Sequence, residues 1–320
     1  MTSKLVKTYI KLLISAGMIL LVSLRVNLHD VLHLLRDVPA RVFLIGAFGY
    51  LGSLALSSLR WRCLVRAGGM SVTFSRVFTA TLVGSFANAF GLGTVGGDLL
   101  RAALLCGASG ASNAVALASV AADRLLGLGV LAAIGVVAAS FVVLPGEAHS
   151  YIFIAAAVVV AGIMLWFSIP HILKRLEHLP RVGKFIGQAE KAFPRDIAVL
   201  LQVVALALAF HIMQLGVLGC MLRAMDINVP WLYLFAALPI ANIVTTLPLS
   251  WMGVGLREGL YVMLFTPTYM SPPVAVLCAA LWLFSMMAAS VVGGVLAVLS
   301  GDITMLKAIP SAKSFDAKKA

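Results

Sequence analysis

Charged side chains are scarce in this sequence of 320 residues. Asp, Glu, Lys and Arg together make up 11% of it, whereas 62% of the residues are hydrophobic. Soluble domains are about a quarter charged and about half apolar. The composition therefore excludes an ordinary soluble domain and predicts a polytopic, all-α membrane protein.

Acidic residues are especially few, with 12 Asp and Glu against 24 Lys and Arg, which gives a formal net charge of +12. In a membrane protein such an excess usually reflects topology and contact with anionic lipid. No basic patch alternates with aromatic residues, so we expect no nucleic-acid partner.

Motifs for catalysis and metal binding are missing as well. The four cysteines lie far apart and form no C-x-x-C pair, and the six histidines do not converge by spacing. There is no G-x-x-x-x-G-K-[ST] sequence for ATP. We therefore expect no metal, no cofactor and no enzymatic activity.

The N-terminus also lacks a cleavage site of the small-x-small type. Three lysines precede an apolar run that ends at Leu24, and Arg25 to Asp30 is a poor cleavage sequence. An uncleaved first helix is favoured over a signal peptide.

Eight segments are apolar and long enough to be spans, since a span needs about 20 residues. Two shorter apolar pieces, 95–122 and 251–266, follow the third and seventh segments. The predicted spans are 8–25, 42–59, 74–91, 124–144, 151–169, 198–222, 231–249 and 274–299.

Lys and Arg concentrate in four places: the N-terminus, 60–76, 174–195 and the tail after 306. The positive-inside rule makes all four cytoplasmic, so both termini are predicted to be inside a cell (inner or plasma) membrane. Region 74–123 must then begin and end inside, and region 231–273 must begin and end outside. One helix plus one re-entrant or broken piece would satisfy each region.

The two halves, about 1–144 and 151–299, therefore have the same plan in opposite orientation. We predict one transmembrane domain over 1–305 that contains an inverted repeat, followed by a disordered basic tail at 306–320. Inverted repeats with interrupted helices recur in membrane transporters, and the interruptions mark the binding site.

Ionisable residues remain inside the predicted membrane region, where an unpaired charge costs at least about 2.5–3.5 kcal/mol on insertion scales. They form three local pairs, Asp98 with Arg101, Asp123 with Arg124 and Arg257 with Glu258. An Asn ends the span before each broken piece. The alternatives to substrate binding are buried structural pairing, capping of the broken helices by the Asn residues, and a position of Asp123 and Arg124 at the cytoplasmic interface. The candidate substrate-binding residues are Asp98, Arg101, Asp123, Arg124, Arg257, Glu258, Asn88 and Asn242.

Glycine and proline mark the proposed breaks. Half-helix starts expose N–H groups and a dipole that favour anions. The G-x-G-x-x-G pattern at Gly91 is not a dinucleotide turn, because a membrane span precedes it instead of a strand. The predicted hinge residues are Gly93, Gly96, Gly97, Pro248, Gly253 and Gly255.

The link 171–195 mixes apolar and basic residues. We expect it to lie on the cytoplasmic leaflet against anionic lipid, with a plain solvated loop as the alternative.

Three motifs in order resemble the transmembrane region of lysylphosphatidylglycerol synthases, a flippase-like membrane domain. They are Asn88…Gly96-Gly97-Asp98…Arg101, Ala121 to Gly127 (AADRLLG), and Pro248…Gly253-Val-Gly-Leu-Arg-Glu-Gly259. The sequence departs at Leu92-Gly-Thr-Val95, where a Leu-Pro-Gly-Ser-like break is expected. The resemblance implies eight helices, re-entrant segments and movement of a lipid between leaflets.

We expect a stand-alone member without the aminoacyl-transfer domain, and hence no lipid aminoacylation. The leading hypothesis is a lipid transporter or flippase for a polar or anionic lipid. The resemblance leaves phospholipid and isoprenoid or hopanoid lipids open as partners, and a homo-oligomer is also left open. The alternatives are a membrane lipid-modifying transferase and a non-catalytic partner of a lipid- or glycan-synthesis enzyme.

Overall fold

A computed structural model describes residues 17, 20, 26, 28–106, 113–145, 150–176, 178, 183–247, 249–266 and 268–299. Nearly all of the predicted first span, the tail at 306–320 and the hinge residue Pro248 lie outside these ranges. Throughout the described residues the secondary structure is helical, without a strand.

Eleven α-helices occur among the described residues, and a five-residue π-helix, Asn88–Leu92, joins the third to the fourth. The helices are α1 Leu28–Arg36, α2 Ala40–Ala67, α3 Phe74–Ala87, α4 Gly93–Cys106, α5 Asn113–Ala139, α6 Ser150–Leu176, α7 Gly183–Glu190, α8 Ile197–Ala224, α9 Trp231–Thr246, α10 Leu256–Phe265 and α11 Pro272–Leu299.

Five helices are long and apolar enough to cross a membrane: α2, α5, α6 from Phe153, α8 and α11. They coincide with five of the eight predicted spans. Each has 24 to 28 residues, so at 1.5 Å per residue it exceeds the hydrocarbon thickness of about 30 Å.

Two predicted boundaries were wrong: the predicted spans stop where charged residues interrupt the apolar run, but the helices continue there. Helix α2 continues through Arg60 to Ala67, and α5 begins at Asn113 instead of 124. The predicted piece 95–122 is therefore divided between α4 and the start of α5. Arg60 of α2 and Asp123 of α5 pair with each other inside the protein, so neither charge has to end its helix.

The remaining apolar helices form two short hairpins. In the first, α3 and α4 pack against each other on either side of the π-helix. They lie close together at Gly84 and Gly97, because a Cβ on Gly84 would lie 2.9 Å from the Gly97 carbonyl oxygen. Each arm has 14 residues, or about 21 Å, which is less than the hydrocarbon thickness.

The second hairpin consists of α9, α10 and the loop 247–255 that joins them. The Tyr233 hydroxyl at the start of α9 donates to the Leu264 carbonyl at the end of α10. At the other end, Thr245 faces Gly253, where a Cβ would lie 2.9 Å from the Thr245 Cβ. The two helices are therefore antiparallel, and we call the loop 247–255 with the first turn of α10 the α9–α10 tip.

The chain divides into two compact units. The first comprises Met1–Ser57, Arg124–Ser168 and Val204–Ala288, and its core is built around residues such as Leu218, Leu234 and Tyr261.

The second unit comprises Ser58–Asp123, Ile169–Val203 and Ala289–Ala320. Its core surrounds Trp61, with Val77 of α3 and Leu105 of α4. It contains the α3–α4 hairpin, whereas the α9–α10 hairpin belongs to the first unit.

Candidate functional site

A buried charge network lies in the second unit. The Asp123 carboxylate lies 2.7 Å from Arg60 Nε and 3.2 Å from Arg101 Nη2. Arg101 Nε in turn lies 3.2 Å from Asp98 Oδ1. We call these four residues the Arg60 cluster.

Helices α2, α4 and α5 each contribute to the Arg60 cluster. The four side chains are between 3% and 16% exposed. The Arg101 guanidinium also sits 4.7 Å above the Trp61 ring, and the Trp61 indole N–H donates to Ser119 at 3.0 Å. Two arginines and two carboxylates balance, so the cluster is neutral and its charges are paired.

Asn88, at the start of the π-helix, makes a hydrogen bond to α4 in the α3–α4 hairpin. Its side-chain Oδ1 accepts a hydrogen bond from the Gly97 N–H at 3.0 Å. A Cβ on Gly97 would collide with this Asn88 amide and with the Gly84 carbonyl. Gly93 is the first residue of α4, and Gly96 and Gly97 follow in its first two turns.

The predicted pairing of Asp123 with its neighbour Arg124 is replaced by the contacts with Arg60 and Arg101. Adjacent residues on a helix do not face each other. Arg124 is half-buried and belongs to the first unit.

The second polar site is the α9–α10 tip. Arg257 lies in the first turn of α10 and is 4% exposed. Its Nε and Nη1 atoms are buried and have no hydrogen-bond acceptor among the described residues. Ser250, in the loop, is 7% exposed, and its hydroxyl likewise has no partner within the described ranges.

Glu258 does not form the predicted direct pair with Arg257 in the part of the chain that the structure describes. Its Oε2 accepts a hydrogen bond from the Gly255 N–H at 2.6 Å and so caps the start of α10. Gly255 and Gly253 have φ values of 81° and 77°, which glycine adopts without strain. The carboxylate is thus committed to the helix terminus.

Asn242, near the end of α9, is half-buried, and its backbone carbonyl accepts from the hydroxyls of Thr245 and Thr246. Four residues of the two polar sites are not among those predicted from the sequence: Arg60, Trp61, Ser119 and Ser250. For Arg60 the only available signal was that apolar residues continue on both sides of it. For Ser250 the available signal was its position inside a predicted break between two helices.

Several long apolar helices and buried charges define the class of this chain: a multi-pass protein embedded in a membrane. More particularly, it belongs to the family described as the lysylphosphatidylglycerol synthase TM region, whose model matches residues 9–294. The family indicates a function connected with membrane lipids. A search of curated proteins finds no match.

Proposed function

We propose that this protein moves a lipid with a polar head group from one leaflet of the membrane to the other. The observation that carries the proposal is Arg257, an arginine buried at the tip of a short hairpin in a membrane-embedded unit. Ionisable residues at such positions are expensive to hold and mark substrate pathways.

The dimensions of the α9–α10 hairpin support this role. Helices α9 and α10 have 16 and 10 residues, which corresponds to about 24 Å and 15 Å. Neither matches a hydrocarbon layer of about 30 Å. Interrupted helices of this kind place backbone and side-chain polar groups at membrane depth, as in transporter binding sites.

The two polar sites suggest different roles for the predicted substrate-binding residues. Asp98, Arg101 and Asp123 are partners of one another and of Arg60, so we assign them to positioning the α3–α4 hairpin. We assign Arg257, with Glu258 holding the helix start beside it, to contact with the lipid head group.

We also propose that residues 183–195 rest on the cytoplasmic leaflet. On α7, Phe185 is exposed, as are the basic residues Lys191 and Arg195 that follow it. Lys191 and Arg195 line a surface crevice of about 390 Å³ together with Phe193. Exposed basic and aromatic groups together favour an interface rich in anionic lipid. The first part of the predicted link, 171–176, is the end of α6.

The test is a leaflet-exchange assay with the purified full chain in liposomes. A fluorescent phospholipid is quenched from outside, and loss of the protected inner-leaflet signal reports transport. We expect faster loss than in empty vesicles, with unchanged lipid chemistry. Arg257→Gln should slow the exchange, whereas the matched control Arg36→Gln, at an exposed position on α1, should not.

Equal rates with and without protein, across several head groups, would refute transport. If transport occurs but Arg257→Gln matches Arg36→Gln, the tip has no part in it. A chemically altered lipid would point instead to an enzyme.

A further inference from the structure

Helix α1 has two apolar sides, and only one of them packs against the protein. Val31 and Leu34 are half-buried and contact the core of the first unit, as does Val38 just after the helix. Leu32 and Leu35 are 62% and 39% exposed. Residues three apart are neighbours on a helix surface, so these two leucines form a second apolar side, which is left uncovered within the described part of the chain.

The charged side chains of α1 have a definite order around the exposed leucines. At about 3.6 residues per turn, His29 and Arg36 lie next to Leu32 on the helix surface. Asp30 lies on the far side of the helix from Leu32 and Leu35. The three polar residues are all exposed. An arginine can rest its aliphatic stem on an apolar surface while its charge stays in water, so this order fits the surface of a lipid layer.

The start of α2 has the features of a membrane–water interface. Three residues separate it from α1. The exposed Arg41 donates from Nη2 to the Ala224 carbonyl at 2.9 Å, at the end of α8. The adjacent Arg223 lies 4.8 Å over the Trp231 ring. Arginine and tryptophan side chains collect at the ends of transmembrane helices, so α1 adjoins such an interface.

The exposed apolar surface continues from this interface along α2. Leu44 and Phe48 are 57% and 69% exposed, and residues four apart share one side of a helix. Because α2 is long and apolar enough to cross a membrane, that side faces acyl chains. Ala67, the last residue of α2, lines the crevice that we assign to the cytoplasmic leaflet. The first residues of α2, and α1 before them, therefore belong to the opposite leaflet.

We propose that α1 lies in the head-group layer of the non-cytoplasmic leaflet, with Leu32 and Leu35 in contact with the acyl chains. The partner of the exposed side is thus the lipid surface. Anionic lipid is not required, because the exposed charges of this segment are one arginine, Arg36, against Asp30 and Asp37. This membrane contact lies outside both polar sites and does not depend on transport.

The experiment measures the depth of single spin labels on the full chain in phosphatidylcholine vesicles. The four native cysteines are replaced by alanine before one labelled cysteine is introduced. Collisions with oxygen report contact with lipid, and collisions with a nickel chelate report contact with water. We expect the labels at the two leucines about 5–10 Å below the head-group boundary, and the other two labels in reach of nickel. The labelled variants are Leu32→Cys, Leu35→Cys, His29→Cys and Arg36→Cys.

The controls separate lipid contact from a loss of structure. Each labelled variant should melt at the same temperature as the cysteine-free chain, and Phe48→Cys gives the signal of a lipid-facing position. Adding Leu35→Glu should raise the nickel collisions of the label at Leu32, because it puts a charge on the apolar side. The matched His29→Glu should leave them unchanged. An impermeant thiol reagent should reach His29→Cys from outside intact cells.

Four outcomes would refute the proposal. Equal nickel collisions at all four labelled positions would place α1 in water. Labels at Leu32 and Leu35 that are shielded from both oxygen and nickel would show that protein, such as a second copy of the chain, covers this side. Contact with lipid only in vesicles that contain phosphatidylglycerol would refute binding through the leucines. Labelling of His29→Cys only from the cytoplasmic side would refute the leaflet.

Discussion

The Arg60 cluster gives a prediction about stability that can be worked from its contacts. Asp123 is the acceptor shared by two buried arginines, at 2.7 Å and 3.2 Å, and its side chain is 3% exposed. Replacing it with Asn keeps the shape and removes the charge. Loss of this carboxylate would change the net charge of the cluster from zero to about +1.

Removal of one partner from a buried ion pair costs about 3–5 kcal/mol, because the remaining ion stays buried without compensation. We expect Asp123→Asn to lower the free energy of unfolding by an amount in this range. The matched control is Glu190→Gln, which removes a carboxylate 3.6 Å from Arg195 where the side chains are 28% and 54% exposed. An exposed pair of that kind contributes about 0–1 kcal/mol.

The measurement is reversible unfolding in mixed micelles by titration with a denaturing detergent, followed by tryptophan fluorescence. A double variant, Asp123→Asn with Arg60→Gln, tests the charge argument directly. Since it restores neutrality, it should lose less stability than the sum of the two single variants. Additive losses, or an Asp123→Asn variant as stable as Glu190→Gln, would refute the reasoning.

Two other predictions concern packing and topology. Gly97→Ala should destabilise the α3–α4 hairpin by about 1–3 kcal/mol, as overpacking does. The control Gly129→Ala should not, because a Cβ there meets no atom within 4 Å. Equal unfolding free energies for the two variants would contradict the close approach of α3 and α4. We also expect cysteines introduced singly at His178 and at each chain terminus to be labelled only from the cytoplasmic side of intact cells. The positive-inside rule places basic segments on that side. Labelling from outside would reverse the proposed orientation.

The membrane class, the family and five of the spans could be predicted from the sequence, since they depend on composition, apolar length and short motifs. In both short hairpins the connection between the two helices lies close to a predicted interruption, at Asn88–Leu92 in the first and between Thr246 and Leu256 in the second. The residues at which the helices begin and end were predicted less accurately. A charged residue that ends an apolar run in sequence does not end the helix when a partner lies inside the protein, as with Arg60.

The ion-pair partners of the site residues were harder to predict than the residues themselves. Arg60 and Asp123 are 63 residues apart, and no local pattern links them. The prediction instead paired sequence neighbours, Asp123 with Arg124 and Arg257 with Glu258. Successive residues on a helix point in different directions, so each of these acids found a different partner.

The order of acid and arginine explains why the two hairpins differ electrostatically. In the first, Asp98 precedes Arg101 by three residues, so both lie on one face of α4 and pair at 3.2 Å. In the second, Arg257 precedes Glu258 by one residue, and Glu258 stands at the third position after Gly255, where a carboxylate caps the helix. The Glu258 carboxylate therefore caps the helix and makes no ion pair with Arg257 in the described part of the chain. A small difference in spacing therefore pairs the arginine of the first hairpin with its own acid, whereas Arg257 Nε and Nη1 have no hydrogen-bond acceptor among the described residues.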